Sequence, residues 1–428
     1  MLKAGLRFRL PSYRRPVQQS RCFSSQSDDF PGNQAPHNRF MGFQLDQSGE
    51  KIQKQDFEWP ILHGGYKPQH VLVLSKITRW EVIKDKRIGK DPSDAHLIAK
   101  HKQQEWFVEK IVEKLKSHKI NVTVTKPGHY TVEKLKNVDL VISAGGDGTF
   151  LTAASRIRNN IPVIGINTDP VGSEGHLCLT GKEKRDVGEV IEQFLAGHFT
   201  FFYRHRIRVT LLKPSIVGKV RRNDSTEEHN DKAQFHSDDE ENHHNNIPLP
   251  LLALNEVFVG ESHAARVSYL EIQIDDGPVY KQKNSGVIVC TGTGSTSWNY
   301  NINRSTERSV AELITFMQEQ GYEVKPPLDQ NAVKSLCQRY NERLVFAPDE
   351  ERMEYSIRDP VFNRTFAQIP DRGSATKIKI KSKCSHAHLT LDGSTSIPFN
   401  HGAEVLIELY REDALRTALL TAPAEKSS

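Results

Sequence analysis

The sequence predicts an α/β domain followed by a mainly antiparallel β domain. Between residues 70 and 167, short apolar or β-branched runs alternate with segments of helical spacing, the pattern of a doubly wound parallel sheet. From about Phe199 onward, strand-like runs follow one another, and a β-sandwich-like partner domain is expected.

The elements follow in order. His70-Val-Leu-Val-Leu-Ser75 is apolar enough for a first buried strand. Leu97, Ile98, Trp106, Val108, Ile111 and Leu115 recur at helical spacing and predict a helix over 95–117. Ile120-Asn-Val-Thr-Val-Thr125 alternates as a second strand, and Leu140-Val-Ile142 and Ile161-Pro-Val-Ile-Gly-Ile-Asn167 supply a third and fourth. In the second part, strands are expected at Arg206–Leu212, Leu252–Val259, Val267–Ile274, Gly286–Cys290, Lys377–Lys381, His388–Asp392 and Glu404–Leu409. Helices are expected at Glu307–Glu319 and Gln330–Leu344, and a closing helix or arm at Asp413–Leu420. Residues 219–246 are rich in Asp, Glu, Asn and His and poor in apolar groups, so they cannot offset the entropy of ordering and are expected to be disordered. His236, His243 and His244 there lack the fixed spacing of a metal site.

A length of 428 residues accommodates two such domains. No apolar stretch approaches the roughly 20 residues of a membrane span, so no membrane partner is expected. The cysteines Cys22, Cys178, Cys290, Cys337 and Cys384 are scattered without a Cys-x-x-Cys pair, which suits a reducing compartment. Residues 1–27 hold no Asp or Glu, but contain Lys3, Arg7, Arg9, Arg14, Arg15 and Arg21 among serines. This is the composition of a mitochondrial transit peptide, with a cleavage-site-like Arg21-Cys22-Phe23-Ser24. Cleavage after Phe23 removes six positive charges and no negative ones, taking the formal net charge from +5 to −1. The basicity therefore belongs to the address and gives no support for a nucleic-acid partner. The expected organisation is a transit peptide over 1–23, a flexible lead-in over 24–64, an α/β domain over 65–198, a β-rich domain over 199–408 and a carboxyl-terminal arm over 409–428 returning to the α/β domain.

Chemistry concentrates in four stretches. In the first, the third strand breaks at Gly145, Gly146 and Gly148 and resumes as a helix from Phe150 to Ile157. Strand, glycine turn and helix start place N–H groups where they can hold phosphate oxygens. Asp147 inside that turn could hold Mg²⁺ or accept a hydroxyl proton; alternatively, it caps the helix. Asn255 and Glu256 interrupt an otherwise apolar strand and could grip vicinal hydroxyls, or be solvated groups at a strand end. Cys290-Thr-Gly-Thr-Gly-Ser-Thr-Ser-Trp-Asn-Tyr300 offers close backbone approach, hydroxyls and a flat indole at Trp298. Asp392-Gly393 makes a good hairpin turn.

Taken in this order, the four stretches resemble the signatures of the NAD kinase family. Gly145–Thr149 is similar to its Gly-Gly-Asp-Gly-Thr turn, Asn255-Glu256 to its Asn-Glu pair, Thr293-Gly-Ser-Thr296 to its Thr-Gly-Ser-Thr block and Asp392-Gly393 to its late Asp turn. The resemblance runs from about Val71 to the carboxyl terminus, interrupted by the insert over 219–246 and by the segment near Arg304–Arg352. It is closest to the animal mitochondrial branch, through Asn167-Thr-Asp-Pro and Ser173-Glu-Gly-His-Leu177. Ser285 stands where many members have Asp, and Gly292 where Pro is common.

The resemblance implies ATP-dependent phosphorylation of the adenosine 2′-hydroxyl of NAD, with Mg²⁺ accompanying ATP. Asp147 would be the general base. Gly145, Gly146, Gly148 and Thr149 would face the ATP phosphates. Asn255 and Glu256 would hold the ribose, and Thr296, Ser297 and Trp298 would line the adenine pocket. A homodimer in the mitochondrial matrix is the family expectation. The alternatives are a lipid kinase sharing the glycine turn, which would want an apolar acyl pocket, and a non-catalytic NAD-binding sensor, which would not need Asp147. A dehydrogenase would want the Gly-x-Gly-x-x-Gly turn that this chain lacks.

Overall fold

The computed structural model describes residues 44–45, 51–52, 66–86, 94–181, 185–215, 251–263, 265–324, 329–362 and 369–421. Residues 1–23, most of 24–64 and 219–246 lie outside these, and so do the expectations placed on them. The chain divides into two compact units, Met1–Asp56 and Phe57–Ser428. In the first, β1 (Gln44–Leu45) pairs antiparallel with β2 (Lys51–Ile52).

The second unit opens with β3 (His70–Ser75), α1 (Arg79–Lys86), α2 (Ala95–Ser117), β4 (Asn121–Thr125), β5 (Leu140–Ala144), α3 (Asp147–Arg156), β6 (Val163–Ile166) and α4 (Val187–Leu195). The strands form a parallel sheet in the order β4-β3-β5-β6. Its strands are apolar on both faces because both are covered. Ile111 and Leu115 of α2 and Val187, Val190, Ile191 and Phe194 of α4 pack over Val71, Val73, Ile142 and Ile164. On the other face, Phe150, Ala153 and Ala154 of α3 pack over Leu72, Leu74, Val141 and Val163. The expected doubly wound domain is therefore present.

The β domain contains β7 (Phe199–Arg204), β8 (Ile207–Lys213), β9 (Leu251–Ala253), β10 (Glu256–Glu261), β11 (Ser268–Ile274), β12 (Val279–Asn284) and β13 (Val287–Cys290), followed by α5 (Trp298–Asn303), α6 (Glu307–Glu319) and α7 (Gln330–Glu342). It continues through β14 (Met353–Ile357), β15 (Arg372–Ala375), β16 (Lys377–Ser382), β17 (Ala387–Leu391), β18 (Thr395–Pro398), β19 (Glu404–Leu409) and β20 (Leu415–Leu420). Two six-stranded antiparallel sheets, β15-β14-β13-β10-β17-β18 and β12-β11-β16-β19-β8-β9, face each other across a shared core. Val257, Val289 and Leu389 come from one sheet, and Val209, Ile272 and Ile407 from the other.

Three expectations are refined. The run from Leu252 to Val259 splits into β9 and β10 at Leu254-Asn255, so Asn255 lies in the break and Glu256 opens β10. The helix expected from Phe150 begins at Asp147. The closing segment is a strand, because β20 pairs in register with β7 from Leu415↔Arg204 to Leu420↔Phe199. It delivers Leu415 to one core of the parallel sheet and Ala418 to the other. Arg206, buried just before β8, donates from Nη1 to the carbonyls of Ala154 and Ile157 at 3.0 and 2.9 Å and so satisfies the end of α3.

Candidate active site

The glycine turn lies at the carboxyl end of β5, where open α/β sheets bind ligands. Gly146 is the N-cap of α3 and Asp147 its first residue. Asp147 is therefore not the cap, and its carboxylate makes no capping bond. It accepts instead from the N–H groups of Leu177, at 2.8 Å, and His176, at 3.1 Å. Among the described residues no main-chain acceptor meets the N–H of Asp147 or Gly148, and these donors stay available at the positive end of the helix. A Cβ on Gly148 would meet open space, whereas one on Gly145 would lie 2.2 Å from Thr149 Oγ1. Gly145 gives its own N–H to Ile166 O and serves close packing.

The loop that carries His176 and Leu177 is folded by Asn167, a buried side chain that closes a local ring of hydrogen bonds. Its Oδ1 accepts from Asp169 N and Ser173 Oγ, both at 3.0 Å, and its Nδ2 donates to Ser173 O. Gly175 passes so close at φ +62° that a Cβ would sit 2.5 Å from Asn167 Nδ2. Buried Gln104 of α2 ties the neighbouring strand ends together, donating to Ser75 Oγ and Ala144 O. Lys76, next to Gly145, and the ion pair Lys100–Asp169 at 2.6 Å add charge beside the turn. Burial lowers the Lys76 pKa, opposed by Asp169. Burial would raise that of Asp169, but hydrogen bonds from Lys100 and Gly172 outweigh it and hold it below the usual range.

The second half of the site is built on Asp392. Its carboxylate accepts three main-chain N–H bonds, from Leu254 at 2.8 Å, Asn255 at 2.7 Å and Glu256 at 3.1 Å. The hairpin between β17 and β18, with Asp392 and Gly393 at φ +48° and +64°, thus pins the Asn-Glu pair. Burial, against those three bonds, pushes the Asp392 carboxyl up to about 6. Burial and the Asp392 charge push Glu256 up to about 7. Asn255 Oδ1 and Glu256 Oε2 are buried without partners, two acceptors aimed at nothing in the protein. Such orphans are expensive unless a ligand donates to them, as a vicinal diol can. They do not suit the acyl pocket of a lipid kinase.

The Thr-Gly-Ser-Thr block is docked on the same pair. Thr291 N donates to Asn255 O at 2.9 Å, and a Cβ on Gly294 would lie 2.1 Å from that oxygen. Asn255 Nδ2 reaches Ser297 Oγ at 3.4 Å, and Thr296 is exposed beside it. Trp298 opens α5, 38% exposed, with the Phe258 ring behind it at 5.0 Å and the Arg358 guanidinium at 5.7 Å. Arg204 joins the halves: its Nη1 meets Thr293 Oγ1 at 3.4 Å, and it lines a depression of about 370 Å³ together with His176 and Leu177. Burial holds its pKa down to about 10, against the pull of Asp147 and Asp349. Sequence reading passed over Lys76 and Arg204, and it marked Asn167 only as the start of a stretch that follows a strand. The available signal was position, because Lys76 and Asn167 directly follow parallel strands.

Residues 78–199 match the model of the ATP-NAD kinase N-terminal domain. The chain is 38% identical over 378 residues to "NAD kinase 2, mitochondrial" of Rattus norvegicus, covering 83% of this chain and 89% of that one. It is also 38% identical to the Homo sapiens protein of that name, covering 83% and 85%. Among solved structures, yeast NADH kinase complexed with NADH shares the fold, with a TM-score of 0.51 at 17% identity, over 83% of this chain and 84% of that one. With these matches beside the glycine turn and the pinned Asn-Glu pair, the chain belongs to the NAD kinase family.

Proposed function

We propose that Asp147 is the general base in the conversion of NAD and ATP to NADP and ADP, the reaction of this kinase family. The observation that carries this reading is the presentation of Asp147: its carboxylate is fixed by two N–H groups beside the open helix start. Phosphoryl transfer is mostly positioning and charge neutralisation. The N–H groups of Asp147 and Gly148 hold phosphate oxygens, with Gly145, Gly146 and Thr149 shaping the turn. Arg204 and Lys76 supply positive charge on either side. Asn255 and Glu256 accept hydrogen bonds from the ribose of NAD, while Thr296 and Ser297 border the adenine and Trp298 stacks on it. The 2′-hydroxyl then gives its proton to Asp147 as its oxygen attacks the γ-phosphorus, and ADP leaves.

Mg²⁺ enters with ATP. With Asp147 serving as the base, Mg²⁺ would be held by the substrate phosphates and water, as this ion commonly is. Bound there, the ion neutralises phosphate charge. The working assembly is read as a homodimer in the mitochondrion, more narrowly its matrix, reached through the address in residues 1–23. The reading is tested by following NADP formation from NAD, ATP and Mg²⁺ with an NADP-specific dehydrogenase, using residues 24–428. Consumption of ATP without NADP would defeat it.

A further inference from the structure

We propose a second binding site, for a small phosphate-bearing metabolite, at the amino-terminal edge of the parallel sheet, the edge opposite the glycine turn. A depression of about 680 Å³ opens there, where β3, β5 and β6 begin, and this is a size that suits small ligands. Tyr66, Lys67, His70, Asn137, Asn160 and Arg416 are among the residues lining it.

Arg416 of β20 carries the assignment. It is only 8% exposed, its Nε is buried without a hydrogen-bond partner, and among the described residues no carboxylate pairs with it. Its guanidinium lies 5.1 Å from the Phe201 ring and 5.7 Å from that of Tyr203. Cation–π contacts offset part of the desolvation, but a buried cation is ordinarily completed by an anion or by several acceptors. Arg206 in the same fold shows the completed case, with its guanidinium on the carbonyls of Ala154, Ile157 and Asp413. Asp139, a carboxylate on this depression, is committed elsewhere: its Oδ2 accepts from the N–H groups of Gln69 and His70 at 2.8 and 2.9 Å.

The missing partner is thus an incoming anion. The planar fork of a guanidinium matches two oxygens of a phosphate. Lys67, exposed on the rim, adds positive charge, and the amides of Asn137 and Asn160 add donors. These groups offset the charge of Asp139 and suit a polar anion better than an apolar ligand.

The test is calorimetric titration of inorganic phosphate into the full chain, with the glycine-turn site filled by NAD and a non-hydrolysable ATP analogue. The wild type is expected to bind one phosphate, and Arg416→Gln to bind it at least about tenfold more weakly, the worth of a charge-assisted pair. Arg416→Met separates ligand binding from scaffolding. Its Tm without phosphate is expected to match or exceed that of the wild type, and the phosphate-induced rise in Tm to vanish. Should the Arg416 variants fail to fold, Lys67→Gln and Asn160→Asp on the exposed rim carry the test, each weakening binding and Asn160→Asp more so. Absence of phosphate binding to the wild type, or unchanged affinity in the rim variants, overturns the site.

Discussion

The two halves of the active site use one bond type in opposite directions. At the glycine turn, two main-chain N–H groups of a loop hold a side-chain carboxylate, Asp147, and leave it half-exposed. In the β domain, a half-buried side-chain carboxylate, Asp392, holds three main-chain N–H groups and so fixes Asn255 and Glu256. The first device presents a carboxylate, whereas the second builds a rigid wall. Direction of support distinguishes them, and so should mutation: loss of the first is expected to remove chemistry at constant stability, and loss of the second to remove stability together with NAD affinity.

The largest expected effect is on Asp147. Asp147→Asn is expected to keep its circular dichroism and Tm while kcat falls about 10²–10⁴-fold, the span of a general base. A comparable loss of stability would merge the two devices and break the contrast. Next comes Asp392→Ala, which strands three buried N–H groups. At about 1–3 kcal/mol for each unsatisfied group, a loss of at least roughly 3 kcal/mol in denaturant unfolding is expected, with a raised KM for NAD and a smaller change in kcat.

Glu256 gives a test in pH. Its carboxyl lies at about 7 in the folded protein, above its value of about 4.3 in the unfolded chain. The folded state therefore holds the proton more tightly, and this contribution to stability is complete below about pH 4 and is lost as pH rises through about 7. In the free enzyme the difference is on the order of 3 kcal/mol. Glu256→Gln is expected to flatten the wild-type fall in Tm between pH 5 and 8, and parallel curves for the two proteins would contradict it. The smallest effect belongs to the platform. Trp298→Ala is expected to raise KM for NAD by the roughly 1–3 kcal/mol of base stacking, and Trp298→Tyr to recover most of it.

Much of this was legible in the sequence because it is local. Glycines at a strand-to-helix break announce a phosphate turn, and period-two or apolar runs announce the strands. What escaped is non-local. The donors to Asp147 lie about thirty residues away, delivered by a loop that buried Asn167 folds. Asp392 looked like an ordinary hairpin residue, since its three partners lie more than 130 positions earlier. Asp413–Leu420 admits a helix by composition, and only pairing with β7, two hundred residues upstream, makes it a strand. Ser285, where the family often has Asp, donates its main-chain N–H to Arg358 O at 2.8 Å, beneath the guanidinium that approaches Trp298.

That last strand has a consequence for how the protein is made. The parallel sheet of the α/β domain is synthesised before the β domain, yet Leu415 and Ala418 of β20 complete its two cores. Until the final turn of synthesis, those cores are open and β7 has an unpaired edge. The amino-terminal domain therefore cannot finish ahead of the rest, and a fragment ending before Leu415 should not yield it in a stable form.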